Sequence, residues 1–117
     1  TPTKTYRVIV KAEGKVNKER VNEVATSFKN VHLDQRTPKR VEHRRAALVR
    51  DREILWVKAE VLGEDTFSLT LETQSGTYVK EFVSGDDGRY VPSFSQALGI
   101  QCRVETLDVI AINEGMK

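Results

Sequence analysis

Leu69-Thr70-Leu71-Glu72-Thr73-Gln74-Ser75-Gly76-Thr77-Tyr78-Val79-Lys80-Glu81-Phe82 (69–82) is the stretch that decides the fold. Its first five residues alternate apolar and polar, the period of a strand with one buried face. Ser75-Gly76 turns the chain, and a helix is expected to start at once. Tyr78 and Lys80 are two residues apart, which places them about 200° apart around a helix axis. One can face a cleft while the other stands at its rim. An ordinary strand–turn–helix with a snorkelling lysine gives the same pattern.

Working outward, Phe67, Leu69, Leu71 and Thr73 alternate with Ser68, Thr70 and Glu72. Glu53 to Val61 alternates Leu55, Val57, Ala59 and Val61 against Ile54, Trp56, Lys58 and Glu60. A turn at Gly63-Glu64-Asp65 joins the two as a hairpin with one strongly buried face. In that phase Trp56 lies on the less apolar side, either packed under a helix or serving as a stacking platform. Thr5 to Ala12 is a further strand, with Tyr6, Val8, Val10 and Ala12 on one face and Gly14 as its breaker. Asn17 is a plausible N-cap for a helix from about Lys18 to Lys29, with Glu19 in its first turn. Val21, Val24, Ala25 and Phe28 form its apolar stripe. Val31-His32-Leu33 reads as a short strand, and His32 as an edge histidine rather than a ligand.

Downstream, Gly85-Asp86-Asp87-Gly88-Arg89 lacks the alternate-position ligands of a calcium loop and reads as a turn. Pro92-Ser93 can start a short helix through Leu98, ended by Gly99. Val104 to Ile112 is apolar on both sides, which predicts a central strand covered on both faces. No internal repeat or linker interrupts residues 1–117. The expected class is α+β: one domain with a mainly antiparallel sheet and helices packed against it.

Hydrophobic residues at 38% and charged residues at 31% describe a folded chain rather than a disordered one. No apolar run approaches the roughly 20 residues of a membrane-spanning helix, so no membrane partner is expected. Cys102 is the single cysteine and cannot form an internal disulfide, which points to an intracellular, cytoplasmic protein. No His/Cys cluster has zinc spacing, so no metal is expected. The chain starts at Thr1 and has no signal peptide, which reads as a trimmed or excised piece.

The net charge is only +2, but it is unevenly spread. Between residues 36 and 52, seven cations (Arg36, Lys39, Arg40, Arg44, Arg45, Arg50 and Arg52) face only Glu42 and Asp51. Such a band is the footprint of a nucleic-acid contact, and arginine suits planar contacts to phosphate. A solvated charged face is the alternative. His43, inside the band, either touches RNA or is an ordinary solvated histidine. Pro38 disfavours helix at Thr37, so the segment begins as a turn or extended arm; its later part is open between strand and helix.

Ser75-Gly76-Thr77-Tyr78-Val79-Lys80, then Leu98-Gly99, then Leu107 resembles the last catalytic motif of pseudouridine synthases. Gln35-Arg36-Thr37-Pro38, Arg40-Val41, His43-Arg44-Arg45-Ala46 and Leu48-Val49-Arg50 extend the match. With Gly76 to Val83 and Gly85-Asp86, they resemble the archaeal and eukaryotic tRNA pseudouridine synthase 10 family over about residues 5 to 112. The resemblance implies the C-terminal half of a catalytic domain that isomerises uridine to pseudouridine in tRNA, in the T-loop, without metal or cofactor. The base is flipped, an aspartate attacks, the glycosidic bond breaks and the base rejoins through carbon. The implied supporting residues are Lys80, pairing with the aspartate, Tyr78, lining the pocket, and Leu107, packing near the base. Arg36, Lys39, Arg40, His43, Arg44, Arg45 and Arg50 would bind RNA.

The family's aspartate belongs to a motif upstream of the equivalent of Tyr6, and this sequence has none there. Asp34 and Asp51 follow the first strand; Asp86, Asp87 and Asp108 fall inside or after the last motif. The missing N-terminal half of the domain is therefore an expected partner beside tRNA. Two other readings stand: a non-catalytic RNA-binding module of the same fold, and a protein-interaction domain with a charged surface.

Overall fold

The computed structural model describes residues 2–41 and 49–114. In chain order the elements are β1 (Thr3–Ala12), α1 (Lys18–Ser27), β2 (Val31–Arg36), a 3₁₀ turn at Lys39–Val41, β3 (Val49–Val61), β4 (Thr66–Gln74), α2 (Val79–Ser84), α3 (Phe94–Leu98) and β5 (Cys102–Asn113). The strands form one sheet in the order β2-β3-β4-β1-β5, every pair antiparallel. The helices pack on one sheet face: α1 over β3, α2 over β5, and α3 against both helices. No described helix is long and apolar enough to cross a membrane.

The core is what the alternating residues of β1 and β4 bury. Val8, Val10, Phe67, Leu69 and Leu71 are fully inaccessible and meet Val21, Val24, Ala25 and Phe28 of the α1 stripe. An aromatic cluster ties the helices to the sheet. Phe28 lies edge-on to Phe82 at 4.9 Å and stacks on Phe94, which in turn touches Phe67. Asn17 caps α1 as expected, accepting from the Arg20 N–H at 2.9 Å, and α1 ends two residues earlier than its stripe suggests.

Two expectations about strand faces are corrected. In β3, Ile54 rather than Leu55 is buried, because the pairing with β4 slips between Ile54 and Trp56. Leu55 is the extra residue of that bulge, so Ile54 and Val57 share the core face although they are three apart. Trp56 is half-buried on the opposite face, where its indole N–H donates to Glu72 at 2.9 Å and Lys58 lies over its ring.

The second correction concerns β5, which is an edge strand and not a covered central one. Two register shifts against β1 re-phase it. Cys102, Val104, Leu107, Val109 and Ile112 pair with Ala12, Val10, Val8, Tyr6 and Lys4, so all five apolar residues lie on the helix-bearing face. Plain alternation scatters the same residues over both faces. Only the first part of the strand is covered; Val109, Ile110 and Ile112 stay 48–64% exposed.

The loop after α2 has a specific backbone requirement. Gly85 closes α2 in the left-handed region at φ 84°, and a Cβ there would stand 3.0 Å from the Ser93 Oγ. Ser93 caps α3 through that oxygen. Gly85→Ala is expected to cost about 2 kcal/mol, the strain of a non-glycine residue at positive φ plus a displaced cap. Gly88, at the same φ of 84° with open space around it, should cost about 1 kcal/mol on the same change. Urea midpoints compare the two.

Candidate functional site

The turn after β4 places the decisive residues. Thr77 Oγ donates to the Gln74 carbonyl at 2.6 Å, closing the turn at Gly76. Gly76 has φ 87°, and the Arg52 guanidinium lies against it: a Cβ would meet Nε at 3.3 Å and Nη2 at 3.4 Å. Arg52 Nε is buried without a hydrogen-bond partner. Tyr78 is the N-cap of α2 rather than part of its first turn, in extended conformation and half-buried. Lys80 stands exposed in the first turn. Its ammonium meets no carboxylate among the described residues. Leu107 pairs with Val8 on the helix-bearing face and packs against the core.

The segment leading out of β2 is fastened to α2 and the loop behind it. Gln35 and Arg36, expected to begin a turn or extended arm, continue β2. Gln35 is 1% exposed and binds the Tyr78 backbone twice. Arg40 makes a two-point pair with Glu81, at 2.8 and 3.3 Å. Glu81 is 5% exposed, so a carboxylate on the buried side of α2 is held by a half-exposed guanidinium. That hydrogen bond raises the Arg40 pKa above its usual value, against burial, with the Glu81 charge adding to it. The Lys39 amide donates to Asp86 at 3.2 Å and its ammonium meets Asp87 at 3.1 Å. The Tyr90 hydroxyl donates to the Arg36 carbonyl. Burial, then the nearby Glu81 and Asp86 charges, push the Tyr90 phenol pKa up, so it keeps the proton it donates.

The cations of the basic band therefore do not form one uniform surface. Lys39 and Arg40 are paired to acids of the same chain. Arg50 and Arg52 pair across the ladder with Gln35 and Leu33, both buried, which puts them on the helix-bearing face beside the Tyr78 turn. Arg36 pairs with Val49 and points to the other face. Arg36, Arg50 and Arg52 meet no carboxylate among the described residues. His43, Arg44 and Arg45 lie outside the described residues. Of the aspartates, Asp51 meets His32 at 3.1 Å, Asp86 faces Arg89 at 3.7 Å, and Asp108 pairs across from Arg7. No three His, Cys, Asp or Glu side chains among the described residues gather closely enough for a metal ion.

The family model described as Pus10, C-terminal, matches residues 1–113. The chain belongs to the Pus10 C-terminal family. The tRNA pseudouridine synthase Pus10 of Pyrococcus furiosus is 44% identical over 109 residues, covering 93% of this chain and 28% of that protein. The Homo sapiens protein of the same name is 37% identical over 111 residues, covering 95% of this chain and 21% of its own length. The chain thus spans about a quarter of the curated relatives it matches. The fold is also that of one chain in a Cbf5-Nop10-Gar1 complex, with TM-score 0.74 and 18% identity, over 94% of this chain and 30% of the other. An H/ACA ribonucleoprotein bound to a substrate RNA containing 2'-deoxyuridine aligns with TM-score 0.66 and 15% identity, over 93% of this chain and 28% of that one.

In this Pus10 C-terminal chain, the residues that sequence reasoning passed over are Gln35 and Glu81. Both lie inside the quoted motifs but carry no signal of their own. Gln35 is a polar residue at the end of a short strand, and Glu81 is one acid among seventeen acidic residues. Only the fold brings residues about 40 positions apart into contact.

Proposed function

We propose that this chain is the C-terminal part of the catalytic domain of a tRNA pseudouridine synthase that isomerises uridine in the T-loop. It supplies the pocket wall and an RNA-binding surface, and the nucleophilic aspartate comes from a segment outside it. The observation that carries this reading is Lys80: exposed, without a carboxylate among the described residues, and two positions after a Tyr78 whose backbone is fixed. A cation in that state suits a carboxylate delivered from elsewhere. It would keep that carboxylate ionised for attack and aim it at the flipped base. Tyr78 would line the pocket and Leu107 would pack near the base.

The exposed part of β5 suits the same arrangement. Val109, Ile110 and Ile112 leave apolar surface beside an open strand edge. The relatives extend well beyond this chain, and the occupant we assign to that edge is the upstream segment with the aspartate. The reading is tested by mapping pseudouridine in a tRNA transcript treated with the full-length enzyme that contains this chain. Conversion of one T-loop uridine is expected; conversion of no uridine, or only of uridines elsewhere, overturns it.

Arg50 and Arg52 are the RNA-backbone cations of this reading, since they stand beside the Tyr78 turn and have no acidic partner among the described residues. Replacing both with Ala should weaken tRNA binding and flatten its salt dependence, lowering the log–log slope by about 1.5. Replacing Lys39, which is already paired with Asp87, should change the slope by less than half as much. Binding titrations between low and moderate salt measure both.

A further inference from the structure

Tyr78 has a conformational problem. It is the residue before α2, with φ −84° and ψ 93°, and its side chain makes no capping bond. Its carbonyl accepts the first helical bond, from the Phe82 N–H at 3.0 Å, but its own N–H has no helical partner. The Gln35 side chain supplies one. Oε1 accepts from the Tyr78 N–H at 2.8 Å, and Nε2 donates to the Tyr78 carbonyl at 3.2 Å. The two bonds fix the orientation of the carboxamide, because the reverse placement would set donor against donor and acceptor against acceptor. Gln35 itself is 1% exposed on the core face of β2, so its own position is set by packing.

A second grip lies one helical turn along. Arg40 holds Glu81, three residues after Tyr78, with a two-point contact. β2 and the 3₁₀ turn after it therefore hold the start of α2 on both sides of Lys80. Resting on the reading of Tyr78 as the pocket wall, we infer that Gln35 is a positioning residue for uridine isomerisation. It fixes the Tyr78 backbone, and with it the directions in which the tyrosine ring and the Lys80 stem leave α2. A displacement near 1 Å at a reacting site is enough to cost a hundredfold in rate, so a grip of this kind acts on turnover more than on RNA affinity.

The experiment uses the full-length enzyme under single-turnover conditions. Gln35→Met keeps the volume and removes both bonds. The turnover rate should fall at least tenfold while the tRNA Kd stays within twofold. Val21→Ala, a core truncation in α1, controls for lost stability: its melting temperature should fall with the rate of the folded enzyme unchanged. Gln35→Glu gives an independent readout that also serves if the Met variant does not fold. As a carboxylate it sets an oxygen against the Tyr78 carbonyl; when protonated it is a neutral donor–acceptor pair like Gln. Its rate relative to wild type should therefore recover as pH falls through the glutamate pKa. A Met variant with wild-type turnover, or a Glu variant whose ratio to wild type is flat with pH, overturns the inference. Tyr78→Ala separates the two levels. If it cripples turnover while Gln35→Met does not, only the positioning role fails. If Tyr78→Ala is itself neutral, the reading of the pocket fails and the positioning role falls with it.

Discussion

Lys80→Met in the full-length enzyme should lower single-turnover release of tritium from 5-[³H]-uridine tRNA by at least about a hundredfold, the scale seen when one preorganised charge is removed from a reacting centre. Lys80 is exposed, so the change should be close to neutral to folding. The loss should appear in turnover rather than in tRNA binding. It should also alter the pH profile. An adjacent cation lowers a carboxylate's pKa, so without Lys80 the aspartate holds its proton to higher pH. The acidic limb of the rate profile should then move upward in pH. A variant with wild-type rate and profile would show that no carboxylate depends on Lys80.

Phe82→Ala should be the most damaging change to stability, at about 4 kcal/mol. Phe82 is fully buried on α2, and its ring meets Phe28, the C-cap residue of α1, edge-on at 4.9 Å. Phe28 is also held by Phe94, which rests on Phe67 of the sheet, so the ring cannot easily shift into the space. The same helix carries Lys80, so turnover should fall with the loss of order in α2. Val91→Ala provides the contrast. Val91 is 63% exposed, and its loss should stay within about 0.5 kcal/mol. Denaturant unfolding followed by circular dichroism measures both, and equal values would place Phe82 outside the packing centre.

What could be read from the sequence was periodicity and capping. The alternation in β1 and β4, the i, i+3, i+4, i+7 stripe of α1, and the caps at Asn17 and Gly99 are local patterns, and each has a local physical cause. The faces of β3 and β5 could not be read, because each contains a bulge and one extra residue reverses every later side chain. Val104 to Ile112 looked two-sided for that reason alone. The pairing inside the charge band could not be read for a different reason. Counting charges along the chain cannot show that Arg40 meets Glu81 and Lys39 meets Asp87, acids more than forty residues downstream. Tyr78 and Lys80 were singled out through their motif; Gln35, which bonds the Tyr78 backbone, has no pattern that separates it from a solvated glutamine.

The most direct measurement is tritium release from 5-[³H]-uridine tRNA by this chain alone, and by this chain mixed with the upstream segment of the same enzyme. No release alone and release on mixing is the expected result, since the proposal puts the cation and pocket here and the nucleophile upstream. Release by the chain alone would contradict it, and one of Asp34, Asp51, Asp65, Asp86, Asp87 or Asp108 would then have to be the attacking carboxylate. Silence in both arrangements, with salt-dependent tRNA binding retained, would contradict it in favour of an RNA-binding module that performs no chemistry.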